Sequence, residues 1–99
     1  MVVLVATFKA KPGCETELEN KLMGLISQVQ NEENTLVYTL HKEVEDPNRF
    51  LFYEVYRDKE AREFHRSQPY VKEVLGSLSE IVEEPPAIRV YEKIGSLIR

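Results

Sequence analysis

The sequence predicts one α+β domain over residues 1–99, with four mainly antiparallel strands and two helices on one face, in the order β-α-β-β-α-β. Two observations predict this class. Some segments alternate apolar residues with the period of a strand, and the segments between them repeat apolar residues with the period of a helix. Turn-forming clusters separate the segments, and no repeat, linker or low-complexity stretch interrupts them.

The first half of the chain is predicted to form a strand, a helix and a second strand. Residues 2–9 are β-rich, and the Lys-Pro-Gly sequence at 11–13 breaks this strand. Strand chemistry returns at residues 35–44. Between residues 15 and 30, apolar side chains at i, i+4, i+7, i+8 and i+11 define one face of an amphipathic helix, namely Leu18, Leu22, Leu25, Ile26 and Val29.

The second half is predicted to form a hairpin, a helical region and a last strand. The Asp-Pro-Asn sequence at 46–48 supplies a turn, and residues 49–57 form a strand in hairpin register with the one before it. Asp58 is the expected N-cap of a short helix. Two consecutive prolines end the helical region, and residues 87–94 form the last strand.

A proline is expected to divide the second helical region. Because Pro69 disfavours helical geometry at Gln68, the first piece should end near Arg66 and a second should start with Ser67 as its cap. The inward residues of that second piece are predicted to be Tyr70, Val71, Val74, Leu75 and Leu78. The complete order of elements is the split βαβ, or ferredoxin-like, arrangement.

Apolar residues occupy both faces of the predicted strands. On the first and third strands one face carries Val2, Leu4, Ala6, Phe8, Phe50, Phe52 and Tyr56, and the other carries Val3, Val5, Leu51, Tyr53 and Val55. Two helices can cover only one of these faces. We therefore expect the second face to pack on a copy of itself, in a two-fold homodimer of stacked sheets. The alternative is a monomer with half-exposed aromatic residues.

Charge and cysteine content exclude several classes of protein. The net charge is −4 at pH 7 and bases are interspersed with acids, so the clustered Lys and Arg that bind nucleic acid are missing. Cys14 is the only cysteine, which excludes an intramolecular disulfide and fits a reducing compartment. The apolar N-terminal run is too short to span a bilayer. We expect a cytoplasmic protein without nucleic-acid or membrane partners.

One stretch, FYEVYRDKEAREFHRSQPY at residues 52–70, joins a strand rich in aromatics to a charged helix with a histidine among its apolar positions. With the element order, the length and the Pro-Gly break before the first helix, it resembles the antibiotic biosynthesis monooxygenase family of dimeric α+β barrels. The motif is a Glu on the third strand, then a helix with an Ala and, four residues later, a His: Glu54, Ala61 and His65.

The resemblance covers nearly the whole chain and implies a pocket in each subunit, between the helices and the sheet. Family members include cofactor-independent oxygenases of quinols and polyketide phenols, haem-degrading oxygenases, and an isomerase of a phosphorylated signalling sugar. A shared fold cannot choose among these activities.

His65 is the principal candidate for chemistry. Ala61, Phe64 and His65 lie at i, i+3 and i+4, so the imidazole should point with the apolar face of its helix. One interpretation is a core histidine that bonds a backbone carbonyl or a side chain such as Glu54. The resemblance implies another: a base at the pocket wall that accepts a proton from a phenol or enediol near neutral pH. Glu54 is then a candidate orienting group for His65, or equally a carboxylate on the sheet that caps a helix end or pairs with a lysine.

Further pocket candidates are Thr7, Tyr38, Phe52, Phe64 and Tyr70. For each tyrosine the competing interpretation is ordinary core packing, since aromatic residues on strands mostly pack. Arg89, on the last strand, is a candidate clamp for an anion, and His41 is expected to be exposed.

Departures from the family pattern narrow the expected cofactors. The haem-degrading members combine an Asn on the first strand, a Trp and the helix His, whereas this chain has Thr7 near that Asn and no Trp. The polyketide-phenol oxygenases also rely on a Trp. Fingerprints of phosphate, dinucleotide and metal sites are missing. We therefore expect no haem, other cofactor or metal, and we interpret the acidic pairs at 32–33 and 83–84 as solvated.

Three functions remain open from the sequence. The first is a cofactor-independent monooxygenase of a small quinol or phenol with His65 as base. The second is an isomerase of a small phosphorylated or hydroxy-ketone substrate that uses the same histidine. The third is a dimeric ligand-binding or stress-associated protein without catalysis. The first is preferred because of the family resemblance and because no basic pair that could grip a phosphate is evident in the expected pocket.

Overall fold

The computed structural model describes residues 1–99 and confirms the predicted class and order of elements. Its strands are β1 (Val2–Lys9), β2 (Thr35–Lys42), β3 (Arg49–Tyr56) and β4 (Ala87–Tyr91). Its helices are α1 (Glu15–Val29), α2 (Lys59–Ser67) and α3 (Pro69–Gly76). Several of these elements end a little earlier than predicted. None of the three helices has the length and apolar character needed to cross a membrane.

The four strands form one antiparallel sheet in the order β2-β3-β1-β4. Residues directly opposite each other share a face, because side chains alternate along each strand. Leu4 lies opposite Glu54, and Glu54 lies opposite Tyr38. Ala6 lies opposite Phe52. This register gathers all of these side chains on one side of the sheet.

All three helices pack on that side. The predicted face of α1 is buried, with Leu18 and Leu22 fully inaccessible, and α2 and α3 contribute Ala61 and Val71 to the same core. The chain reverses before α1 at Gly13, whose φ of +87° lies in the left-handed region that favours glycine. The helices therefore close one face of the sheet and leave the other without a helix.

The junction of α2 and α3 fixes the orientation of the His-bearing helix. Asp58 caps α2 as predicted, and its Oδ1 accepts a hydrogen bond from the Ala61 amide at 2.9 Å. The predicted cap of the next helix, Ser67, is wrong, because Ser67 is the last residue of α2 and Gln68 forms the extended break. The reason is steric: a proline restricts only the residue directly before it. The helix thus reaches one residue further than predicted, and its buried side chains are Ala61 and His65.

Candidate functional site

A cavity of about 420 Å³ lies between the helix-facing side of the sheet and helices α2 and α3. This volume is within the range of small-molecule sites. Ten of its fifteen lining residues are hydrophobic, among them Leu4, Ala6, Phe8, Phe52, Val71 and Leu75. The cavity is therefore an apolar chamber, and its few polar groups determine what chemistry it can support.

His65 is buried at the wall of this cavity, with 7% of its surface exposed. Its Nδ1 lies 3.0 Å from Oε1 and 3.1 Å from Oε2 of Glu32. Glu54, the partner considered from the sequence, makes no hydrogen bond to His65 and instead accepts one from the hydroxyl of Tyr56. The side chain that orients the imidazole is thus Glu32.

Glu32 is the centre of a buried hydrogen-bond network. Its carboxylate accepts from the Thr35 hydroxyl at 2.7 Å and from the hydroxyl of Tyr70, in addition to contacting His65. The interpretation of Glu32 as solvated is wrong, since it is only 5% exposed, although its neighbour Glu33 is exposed. The Glu32 backbone N–H donates a hydrogen bond to the Val29 carbonyl at 2.8 Å, so the chain turns inward directly after α1.

These contacts define the tautomer of His65. A carboxylate has no proton to donate, so we assign the proton of the neutral imidazole to Nδ1. Nε2 makes no hydrogen bond within the protein, and no buried side-chain nitrogen or oxygen is left without a partner. Nε2 is therefore left as a free hydrogen-bond acceptor, which is the form of nitrogen that can take up a proton.

Burial lowers the pKa of His65 below 6.5, and the nearby Glu32 carboxylate opposes this effect. Burial disfavours the charged imidazolium because the apolar surroundings solvate it poorly. At neutral pH the imidazole is consequently uncharged and can accept a proton.

A second carboxyl group, Glu54, lines the cavity and is 4% exposed. Burial raises the pKa of Glu54 to about 7, although the bond from Tyr56 and the positive charge of Arg62 both act to lower it. Near neutral pH this side chain therefore exchanges a proton readily. It can hold one as an acid or accept one as a carboxylate.

Aromatic rings surround the imidazole. Tyr38 stacks on Phe52 with ring centroids 4.4 Å apart, and the ring centroids of Tyr38 and Tyr56 lie 5.2 and 5.4 Å from that of His65. Burial raises the pKa of both tyrosines, so their hydroxyls remain protonated. The Tyr56 hydroxyl is engaged by Glu54. The imidazole is thus packed among aromatic side chains that belong to the sheet.

Three basic residues, Arg62, Arg66 and Lys72, also line the cavity. The sequence-based expectation that no basic pair faces the pocket is therefore wrong. Arg62 and Arg66 belong to α2 and flank His65 in sequence, and Lys72 belongs to α3. Arg66 and Lys72 are exposed and Arg62 is partly buried, which places their charges at the outer side of the chamber.

The structure brings four of the predicted site residues together and separates the others. His65, Glu54, Tyr38 and Phe52 all line the cavity. Tyr70 lies behind it and binds Glu32.

Four further candidates lie outside the cavity. Thr7 and Arg89 are on the opposite face of the sheet, in register with Leu51 and Val5 respectively. Phe64 is 56% exposed. Of the three residues predicted to share the inward face of α2, only Ala61 and His65 are buried. His41 is exposed as predicted and contacts the Thr39 hydroxyl. These positions remove Thr7, Phe64 and Arg89 from the set that could contact a ligand in this cavity.

Sequence reasoning missed Glu32, Tyr56 and the three basic residues. Glu32 is separated from His65 by 33 positions in an irregular segment, and nothing in its local pattern marks it as buried. The basic residues had a signal, since Arg62 and Arg66 are spaced i, i+4 next to the buried histidine. No three His, Cys, Asp or Glu side chains are grouped so that they could hold a metal ion.

Fold and site together define a ferredoxin-like protein with one buried histidine at the wall of an apolar chamber. Residues 1–76 match the sequence profile described as antibiotic biosynthesis monooxygenase, and the chain belongs to that family. The chain is also 25% identical over 91 residues to an uncharacterized protein of Synechocystis sp., a match that covers 92% of this chain. This chain therefore spans 62% of the length of the Synechocystis protein.

Solved structures support the same assignment of the fold. A Pseudomonas aeruginosa protein is 26% identical with a TM-score of 0.88, and the match covers 95% of this chain and 94% of the other. A Methanosarcina mazei protein is 27% identical with a TM-score of 0.87 and coverage of 93% and 91%. A Deinococcus radiodurans protein, itself proposed to be an antibiotic biosynthesis monooxygenase, is 24% identical with a TM-score of 0.88 and coverage of 100% and 97%.

Proposed function

We propose that this protein is a cofactor-independent monooxygenase that oxidises a small quinol or phenol in the cavity beside His65. The observation that carries the proposal is the orientation of the imidazole: Glu32 holds Nδ1, and Nε2 is free at the wall of an apolar chamber. Membership of the antibiotic biosynthesis monooxygenase family supports an activity of this general kind.

The protein's part in the reaction is proton transfer and exclusion of water. His65 Nε2 takes the hydroxyl proton of the substrate, and the resulting anion is electron-rich enough to pass an electron to O₂ without a metal or flavin. The apolar walls keep water from the reactive anion, and Tyr38 and Tyr56 line the cavity beside the imidazole, where the substrate ring would lie.

The overall reaction balances without an external reductant. A phenol with a free ring C–H reacts with one O₂, one oxygen atom becomes a ring carbonyl, and the other leaves as water. The substrate supplies all four electrons, two from the C–H bond and two from the O–H bond and ring. Glu54, whose pKa is about 7, is positioned to return a proton to the oxygen that leaves.

Oxygen consumption with a panel of naphthoquinols and polyphenols tests the proposal. We expect the wild-type protein to consume oxygen with at least one member, at a rate proportional to protein concentration and above the rate of autoxidation. Oxygen uptake that stays at the autoxidation rate across the panel would contradict a monooxygenase of such compounds.

An isomerase is the second candidate, because Arg62, Arg66 and Lys72 line the cavity and could bind a phosphorylated substrate. The same histidine would then move a proton between adjacent carbons. This function predicts no oxygen uptake and incorporation of solvent deuterium into the product. Neither oxygen uptake nor deuterium incorporation is expected if the protein only binds a ligand.

We further propose that the protein acts in the cytoplasm as a homodimer joined through the sheet face that lacks helices. This face carries apolar side chains in register, namely Val3, Val5, Val37, Leu51, Tyr53 and Val55. Tyr53 is 37% exposed in the single chain. Val3 and Val55 are already buried in the single chain, whereas the other four side chains of the patch are partly exposed. Burying these four against a second copy removes apolar area from water, which is the usual driving force for such association.

Replacing Leu51 with lysine is expected to convert the dimer to a monomer, because it would place an ammonium group within the proposed interface, beside the apolar side chains of β3. Light scattering coupled to gel filtration measures the change in mass. Val44→Lys is the matched control, since Val44 is 95% exposed in the loop between β2 and β3. A monomeric wild type, or equal masses for all three proteins, would contradict this interface.

A further inference from the structure

Three cationic side chains line the outer part of the cavity, and the proposed proton transfer uses none of them. Arg62 and Arg66 are four residues apart, so both lie on one face of α2. Lys72 reaches the same cavity from α3. The basic charges of two helices therefore converge on one chamber whose inner part is apolar and contains His65.

Carboxylates of the protein neutralise these charges only in part, and the charge of Arg62 also acts on Glu54. Neither Arg62 nor Lys72 has a carboxylate within 4.0 Å, and Arg66 contacts only Glu63, at 3.4 Å on the exposed surface. An exposed pair of this kind contributes little energy and exchanges readily. The single carboxyl group that lines the cavity, Glu54, is already bonded by Tyr56. The chamber thus has three cations and one carboxyl group, in a chain whose net charge is −4.

We propose that the substrate carries an anionic oxygen group, a carboxylate or a phosphate, which Arg62, Arg66 and Lys72 hold while its hydroxyaromatic ring reaches His65. A guanidinium matches two oxygens of such an anion with parallel hydrogen bonds, and an ammonium adds a point charge. The proposal rests on the monooxygenase function and names the substrate class. It also fixes which end of the substrate enters first, because the cations lie outside the imidazole.

Binding of stable ligands tests the proposal without any oxidation step. Isothermal titration at low ionic strength would compare 2-naphthol, 6-hydroxy-2-naphthoate and 2-naphthyl phosphate. We expect at least one anionic ligand to bind about tenfold or more tightly than 2-naphthol, which is the size expected for hydrogen bonds to charged groups. The tighter of the two anions identifies the group that the site prefers.

Substitutions locate the effect. Arg62→Gln and Arg66→Gln should each reduce the preference for the anion over 2-naphthol about tenfold. Lys59→Gln is the control, because it removes the same charge from α2 at an exposed position that does not line the cavity. The control variant should retain the full preference.

Equal affinity for all three ligands overturns the proposal, as does an equal loss in Lys59→Gln and the arginine variants. Both outcomes leave the monooxygenase function untouched. Conversely, anion preference that depends on Arg62 and Arg66 in a protein without oxygen uptake would overturn the monooxygenase function, while the anion site would remain as proposed.

Discussion

Replacing Glu32 with glutamine is expected to lower the protein-dependent rate of substrate oxidation by about 100-fold or more. The Glu32 carboxylate can only accept hydrogen bonds, so it holds the proton on Nδ1 of His65 and leaves Nε2 free. A glutamine amide can instead donate to Nδ1, which moves the proton to Nε2 and removes the base. In the serine protease triad the wrong tautomer lowers the rate by about 10⁴, so a loss of about 100-fold is a conservative expectation.

The comparison variant is Glu33→Gln, which makes the same chemical change at the neighbouring exposed position. It should retain the wild-type rate. Because Glu32 acts through His65, the pH profile is a further readout: removing the carboxylate should shift the rising limb, which reports the imidazole, to lower pH. An unchanged rate and pH profile in Glu32→Gln would exclude this residue from the positioning of His65.

The second large effect is a pH-dependent loss of stability caused by Glu54. Its pKa of about 7 in the folded protein lies above the ordinary value of 4.5. The folded state therefore retains a proton that the unfolded chain releases, so the contribution of Glu54 is full below pH 4.5 and is lost as the pH rises through 7. Between pH 5 and pH 8 this amounts to about 2 kcal/mol.

Urea denaturation of the wild type and Glu54→Gln at these two pH values measures that contribution. The wild type should lose about 2 kcal/mol relative to the variant as the pH rises. His65 acts in the opposite direction, because its lowered pKa makes the folded state less stable as the pH falls below 6.5, but it is present in both proteins and largely cancels. Glu73→Gln, at an exposed position, should follow the wild type. Parallel pH profiles for the wild type and Glu54→Gln would contradict the raised pKa.

Local pattern was enough to predict the strands, the helices and their order. The apolar spacing of α1 reports directly which side chains meet the sheet, and Leu18, Leu22, Leu25 and Val29 are all buried as expected. Asp58 was predictable as a cap because its role involves only the next few residues. The cap of α3 was not, since the sequence alone does not show how far α2 continues before Pro69.

The site was predictable only in part, because it depends on contacts between distant segments. The burial of His65 follows from its helix face, but its partner comes from a loop 33 positions away. Thr7 was predicted to line the pocket. Strand alternation, however, places its side chain on the opposite face of the sheet from Ala6 and Phe8, which belong to the core under the helices. The face of Arg89, by contrast, depends on the register of β4 against β1, which the structure supplies.

The most direct test of the central claim follows oxygen atoms from ¹⁸O₂ in the wild type and in His65→Gln, using the panel member that gives the highest protein-dependent uptake. A monooxygenase with His65 as its base predicts one ¹⁸O atom in the product carbonyl, one in water, and a rate at least 100-fold lower in a folded His65→Gln. An unlabelled product with the formation of peroxide, or equal labelling rates in the two proteins, would contradict it.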